Sequence, residues 1–166
     1  MRVRFKLGVG SYFPILAKLF DKTTGPILEL GSGLCSTEFL HWSCYPIKRK
    51  LVTYEDNPRW VDFASNYQAD FHDVHIIEHW DKIDFSPQWA IAFVDHGPID
   101  GTKRSVHVAQ LTHADYVLCH DFDEKDDFRY HYLSIKHLFK YCYIFKNTYR
   151  HTGVLSNKYN PEELFV

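Results

Sequence analysis

The chain has 166 residues, 45% of them apolar and 24% charged. That is the balance of one globular domain, and it excludes a disordered chain or a coiled coil. Nineteen Lys and Arg against twenty-one Asp and Glu leave a formal charge of −2, so no nucleic-acid partner is expected: a polyphosphate backbone calls for a basic excess.

The eleven histidines make the charge respond to pH where imidazole titrates. Cys35, Cys44, Cys119 and Cys142 form no CxxC pair and read as reduced thiols of a cytoplasmic protein. Met1 to Gly8 places basic residues ahead of apolar ones, as a leader does, but Pro14 and Lys18 interrupt the apolar stretch. No run approaches the roughly 20 apolar residues of a membrane span, so a soluble chain is expected.

The elements follow in chain order. Ser11 is placed to cap a helix over 11–20, with Ile15, Leu16, Leu19 and Phe20 on one face, before Thr24-Gly25-Pro26 ends it. Ile27 to Leu30 is a buried strand entering the turn Gly31-Ser32-Gly33, and Ser36 to Trp42 is the helix after it. Lys50 to Glu55 is a second strand, with Pro58 in the first turn of a helix reaching Asn66. Val74 to Ile77 and Trp89 to Asp95 are the third and fourth strands; Thr102 to Leu111 is helical, and Asp115 to His120 is the fifth strand. A helix over Phe128 to Phe139 precedes two extended pieces, Tyr141 to Phe145 and Thr152 to Leu155. The last two lie too close for a crossover and should pair antiparallel. Strands alternating with helices predict an α/β fold, a single domain over 1–166 with its core over 25–157.

In such sheets ligands bind beyond the carboxyl ends of the strands, so the strand ends carry the functional information. The first gives Glu29 and the bend Gly31-Ser32-Gly33, and the second gives Glu55 and Asp56. Glu55 lies 55 − 33 = 22 positions after Gly33, close to the offset of about 20 at which an acid meets ribose hydroxyls. Ser36 stands where a pyrophosphate loop has its third glycine, and the charge of Glu29 is wrong for a phosphate. An acid there suits a ligand with a positive centre, such as the sulfonium of S-adenosylmethionine.

These residues resemble the class I S-adenosylmethionine-dependent methyltransferases, and within them the small sugar O-methyltransferases. The resemblance rests on Leu28 to Gly33 with Cys35-Ser36-Thr37, on Thr53 to Trp60, on Val94 to Pro98 with Arg104, and on Ala114 to Asp121. It implies a Rossmann-like, mostly parallel seven-stranded sheet with a C-terminal antiparallel hairpin. It also implies that Glu29, Gly31 and Gly33 line the methionine moiety and that Glu55 holds the ribose, with Ser36 and Asp56 among the cofactor-binding residues. Trp80 would stack on adenine and Asp81 would accept from its amino group, with Asp95 closing the cofactor site.

Asp95, His96, His120 and Asp121 form the candidate reacting side. Two chemistries stay open there. Asp95 and Asp121 would hold Mg²⁺ or Mn²⁺, with a histidine or Asp123 completing the shell, or His96 or His120 would act as a base without metal. Arg104 reads as a structural partner for an acid, and Pro98 and Gly101 as shaping the loop after the fourth strand. The segment Asp95-His96-Gly97-Pro98 lacks the Asn/Asp-Pro-Pro-aromatic signature of nitrogen-directed nucleic-acid enzymes, so a hydroxyl of a small, sugar-like acceptor is the expected target. With no room for a substrate domain, the acceptor site would come from the chain's own loops, its first helix or the second subunit of a homodimer. The rival expectations are a non-catalytic module that binds the cofactor and, less favoured, a nicotinamide-dependent oxidoreductase.

Overall fold

The computed structural model describes residues 10–97 and 103–165. Pro98, Gly101 and the leader-like start lie outside the described residues. Seven strands form one sheet in the order β3-β2-β1-β4-β5-β7-β6: β1 Ile27–Leu30, β2 Leu51–Glu55, β3 His72–Ile76, β4 Ile91–Val94, β5 Tyr116–His120, β6 Tyr141–Phe145 and β7 Thr152–Ser156. β1 to β5 pair in parallel. β7 runs antiparallel to both β5 and β6, so β6 points the same way as the first five. The expected seven-stranded sheet with its antiparallel end is the observed one.

Both faces are covered, which is why β1, β4, β5 and β7 are buried at every position. Ile27, Leu51, Phe93, Leu118 and Val154 pack with Ile15, Leu16 and Leu19 of α1 (Phe13–Lys22) and Leu40 of α2 (Ser36–Cys44). On the other face Leu28, Leu30, Val94, Val117 and Leu155 meet Trp80, Phe85, Tyr132 and Val108 of α4 (Lys103–Gln110). α3 (Pro58–Ser65) starts on Asn57, whose side chain accepts from the Arg59 N–H. No helix among the described residues is long and apolar enough to cross a membrane.

Three local expectations are corrected. α1 begins at Phe13, and Ser11 does not cap it; its hydroxyl lies 2.8 Å from His120 Nε2 instead. β3 begins at His72, earlier than Val74, because the buried His72 ring is paired across to β2. The segment after β5 is not one helix. It breaks at His131, which sits in the left-handed region at φ 56°, between α5 (Asp127–Tyr130) and α6 (Tyr132–Ile135). Tyr130 and Tyr132 are both buried, and residues two apart cannot share one face of a continuous helix. The break turns both rings inward, 5.7 Å apart.

Gly153 shows how β7 is locked to the segment after β5. A Cβ there would lie 2.3 Å from the Phe122 ring, and that ring is stacked on Tyr132 at 4.9 Å. Gly153→Val is therefore expected to destabilise the fold by about 1–3 kcal/mol through overpacking. Adding Phe122→Ala should cost less than the sum of the two single changes in urea denaturation; simple additivity would disprove the contact.

Candidate active site at the carboxyl edge of the sheet

The strand order reverses between β1 and β4, where a crevice opens in sheets of this kind. The two strand ends are tied by Asp95 N–H donating to Leu30 O at 2.8 Å. Gly31 has φ 91°, and a Cβ on it would lie 2.5 Å from His96 Cα. Only glycine allows this approach. Gly33, Ser32, Asp56 and Asp95 are partly exposed along the same edge, whereas Ser36 is buried at the start of α2.

Glu55 is 3% exposed and organises the loops beside the bend. One carboxylate oxygen accepts from the Ser32 N–H and hydroxyl at 2.7 and 2.6 Å. The other accepts from the N–H groups of Asp56 and Asn57 at 3.0 and 2.7 Å. For Glu55 to accept from a ribose, the Ser32 hydroxyl would have to turn away.

Glu29 has no exposed surface. Thr53 donates to it at 2.7 Å and Thr37 lies 3.0 Å away; no ion pair reaches it among the described residues. Burial pushes its carboxyl up to about 7 against the hydrogen bonds from Ser36, Thr53 and Thr37. The chain of contacts continues through His72 Nε2, 2.8 Å from the Thr53 hydroxyl, and His41 Nδ1, 3.0 Å from His72 Nδ1. Burial, then His41, hold His72 down to about 3, and burial also lowers His41, so the pair favours neutral rings that exchange one hydrogen bond. Sequence reading missed this chain. Its only signal was a pair of histidines 31 positions apart, which nothing in the sequence connects.

On the reacting side, Asp95 Oδ1 accepts from Arg104 at 3.1 Å and lies 3.0 Å from His120 Nδ1. Burial raises the Asp95 carboxyl, but His120 and Arg104 outweigh it and hold it below the usual carboxylate range. Burial lowers His120, but Asp95 and Asp121 outweigh that and raise it. The stabilisation from this pair declines as pH falls through the lowered Asp95 value, and as pH rises through the raised His120 value. Asp121 stands beside them at φ 57°, a strained setting that Asp tolerates better than most residues, and accepts from the Tyr130 hydroxyl at 3.2 Å.

Ligand atoms of Asp95, His120 and Asp121 lie within 4.8 Å of one another, as a metal would require. The place of the cation is taken. The Arg104 side chain is 4% exposed, 3.1 Å from Asp95 and 3.7 Å from Asp121, over the Tyr130 ring at 4.2 Å and bonded to the carbonyls of His96 and His120. Asp123, the other proposed ligand, is paired to His151. A divalent ion would meet a fixed guanidinium of like charge, so these residues do not fit Mg²⁺ or Mn²⁺.

Asp95, His120 and Asp121 are thus brought together, as the sequence suggested. His96 points away: it is 1% exposed and 2.8 Å from His107 Nδ1, with burial holding it down to about 3. Both nitrogens of His120 are engaged, by Asp95 and Ser11. Trp80 is 6% exposed, packed on His96 at 4.3 Å, and donates to Asp56 at 2.7 Å. Stacking on a ligand ring would require it to leave that position. Asp81 is exposed.

No family model and no curated protein matches the sequence. Solved structures do match in shape. Human methyltransferase-like protein 13 in complex with SAH superposes with TM-score 0.66 at 14% identity, over 96% of this chain and 88% of that one. Cofactor-bound Rv0187 from MTB gives 0.66 at 15% identity, over 96% and 84%. A spermidine synthase in complex with the transition state analogue AdoDATO gives 0.59 at 12% identity, over 91% and 59%.

Proposed function

We propose, for a chain that has the class I methyltransferase fold, that it is an S-adenosylmethionine-dependent enzyme methylating a hydroxyl of a small, sugar-like acceptor. Glu29 carries this reading. A fully buried carboxyl with no cationic partner among the described residues, raised to about 7, puts negative potential behind the glycine bend as pH rises through that value. Glu55 and Asp56 add to it along the same edge, while the charge of Asp95 is offset by Arg104. That field suits a sulfonium and opposes a diphosphate. When bound, the cofactor supplies an electrophilic methyl group. The chain's own residues hold the ribose side at Ser32 and Glu55, and Arg104 keeps the ends of β4 and β5 in register through Asp95 and His120.

Isothermal titration calorimetry tests this directly. S-adenosylmethionine and S-adenosylhomocysteine should bind, and NAD and ATP should not. Tight NAD binding would replace the proposal with the oxidoreductase reading. One observation favours the non-catalytic module: both nitrogens of His120 are engaged, by Asp95 and Ser11, and His96 is 1% exposed, so neither expected base is open to an acceptor. Methyl transfer to a hydroxylated acceptor would exclude the module.

A further inference from the structure

The β6–β7 hairpin brings a different histidine to the same edge. β6 ends at Phe145 and β7 begins at Thr152, its register partner, so the loop over 146–151 stands at the carboxyl ends of the parallel strands. Thr152 is also the partner of His120 across β5 and β7. His151 is therefore about one strand spacing, roughly 5 Å along the sheet, from the end of β5 with His120 and Asp121, and about two spacings from β4.

Between this loop and the segment after β5 lies a cavity of about 400 Å³, within the range of small-molecule sites. His151 lines it and is held firmly. Its Nδ1 is 3.2 Å from Asp123 Oδ1, its backbone N–H donates to Asp123 Oδ2 at 3.1 Å, and its carbonyl accepts from the Phe122 N–H at 2.9 Å. Asp123 is itself 5% exposed. With Nδ1 turned to the Asp123 carboxyl, the tautomer that fits has its hydrogen on Nδ1 and its lone pair on Nε2. Nε2 has no partner among the described residues, and the side chain is 32% exposed. This is the arrangement of an oriented base, which His96 and His120 lack.

The walls indicate the ligand. Lys125 and Lys146 face the cavity; Lys125 lies 5.5 Å over the Tyr149 ring, and Lys146 has no ion pair among the described residues. Asp123 is spent on His151, which leaves Glu124 as the opposing charge at the rim. Tyr149 is 57% exposed and offers a flat apolar face.

We infer that this cavity is the acceptor subsite, that it takes a small hydroxylated anion bearing a carboxylate or phosphate, and that His151 receives the hydroxyl proton. The inference rests on the methyl-transfer reading above. The acceptor oxygen attacks the sulfonium methyl carbon, the C–S electron pair passes to sulfur, and the proton passes to His151 Nε2. The products are a methyl ether, a neutral thioether and an imidazolium facing Asp123.

The test is long-range ¹H–¹⁵N NMR of the histidine rings in the whole chain without cofactor. His151 should be the Nδ1–H tautomer, and Asp123→Asn should shift it toward Nε2–H. 4-Hydroxybenzoate and glucose 6-phosphate are the carboxylate and phosphate arms, with phenol and glucose as neutral controls. At least one anionic probe should move the His151 signals saturably, at least tenfold more tightly than its neutral control. Lys146→Glu, at an exposed position, should weaken that binding at least tenfold and leave S-adenosylhomocysteine affinity within twofold. An Nε2–H tautomer in the parent would overturn the base role, and silence of His151 toward both anions would overturn the subsite. Failure of S-adenosylhomocysteine to bind would sink the methyltransferase reading instead, and the two failures are told apart by calorimetry on the same sample.

Discussion

Glu29→Gln is expected to stabilise the free protein above neutral pH while weakening its hold on a cationic ligand. The Glu29 carboxyl stands at about 7 in the fold against an ordinary value of 4.5. A carboxyl raised by folding holds its proton more tightly in the folded chain than in the unfolded one. Its penalty is therefore absent at low pH, grows as pH rises from 4.5 to 7, and is complete above 7. That rise from 4.5 to about 7 corresponds to a stability difference on the order of 3–4 kcal/mol, at roughly 1.4 kcal/mol per tenfold change. Glutamine keeps an acceptor for Thr53 and carries no charge, so it should recover most of that at pH 8 and almost none at pH 4.

Urea denaturation at several pH values measures this as a flatter stability profile in the variant. The same change removes the negative potential behind the bend, so S-adenosylmethionine affinity should fall about tenfold, or about 1.4 kcal/mol. The uncharged thioether of S-adenosylhomocysteine should lose much less. Equal loss for both ligands, or a variant destabilised by the same amount at every pH, would show that Glu29 holds the loop only by its hydrogen bonds.

Arg104→Met should produce the opposite kind of effect, a large loss of stability together with a new metal affinity. The guanidinium is the buried cation between Asp95 and Asp121, and it also bonds two strand-end carbonyls. Removing one partner of a buried ion pair costs about 3–5 kcal/mol, a fall in Tm of roughly 10 °C for a chain of this size. The vacated space would leave Asp95, His120 and Asp121 with ligand atoms within 4.8 Å of one another, with Arg150 still 3.6 Å from Asp121 Oδ1. Mn²⁺ should then raise the Tm of the variant, while neither Mn²⁺ nor EDTA should move that of the parent. A parent stabilised by Mn²⁺ would mean that Arg104 can yield its place, and the metal reading would return.

The parts of the site that were legible in sequence are those where residue type and position suffice. Apolar runs of four to six residues marked most of the strands, and the bend Gly31-Ser32-Gly33 followed from glycine chemistry. The spacing of Glu55 from Gly33 placed an acid at the end of the neighbouring strand. The placing of Asp95, His120 and Asp121 at adjacent strand ends followed from the alternation of elements together with the strand order that the family resemblance implies. Where a polar residue took a core position the reading failed. His72 opens β3 because its ring is buried against Thr53 and His41, and a search for apolar alternation passes over it. Ser11 has the composition of a cap, yet its hydroxyl serves a histidine 109 positions away.

The sequence by itself determined the order of elements, the burial of both sheet faces and the acidic character of the edge, because these depend on periodicity and residue type along short windows. Only the tertiary structure decided what each charge does. It set Arg104 where a metal was expected, engaged His96 and His120, and left His151 as the oriented ring beside a cavity. Hydrogen bonds and ion pairs discriminate over a few tenths of an ångström between groups far apart in the chain, and that information exists only once the strands are side by side.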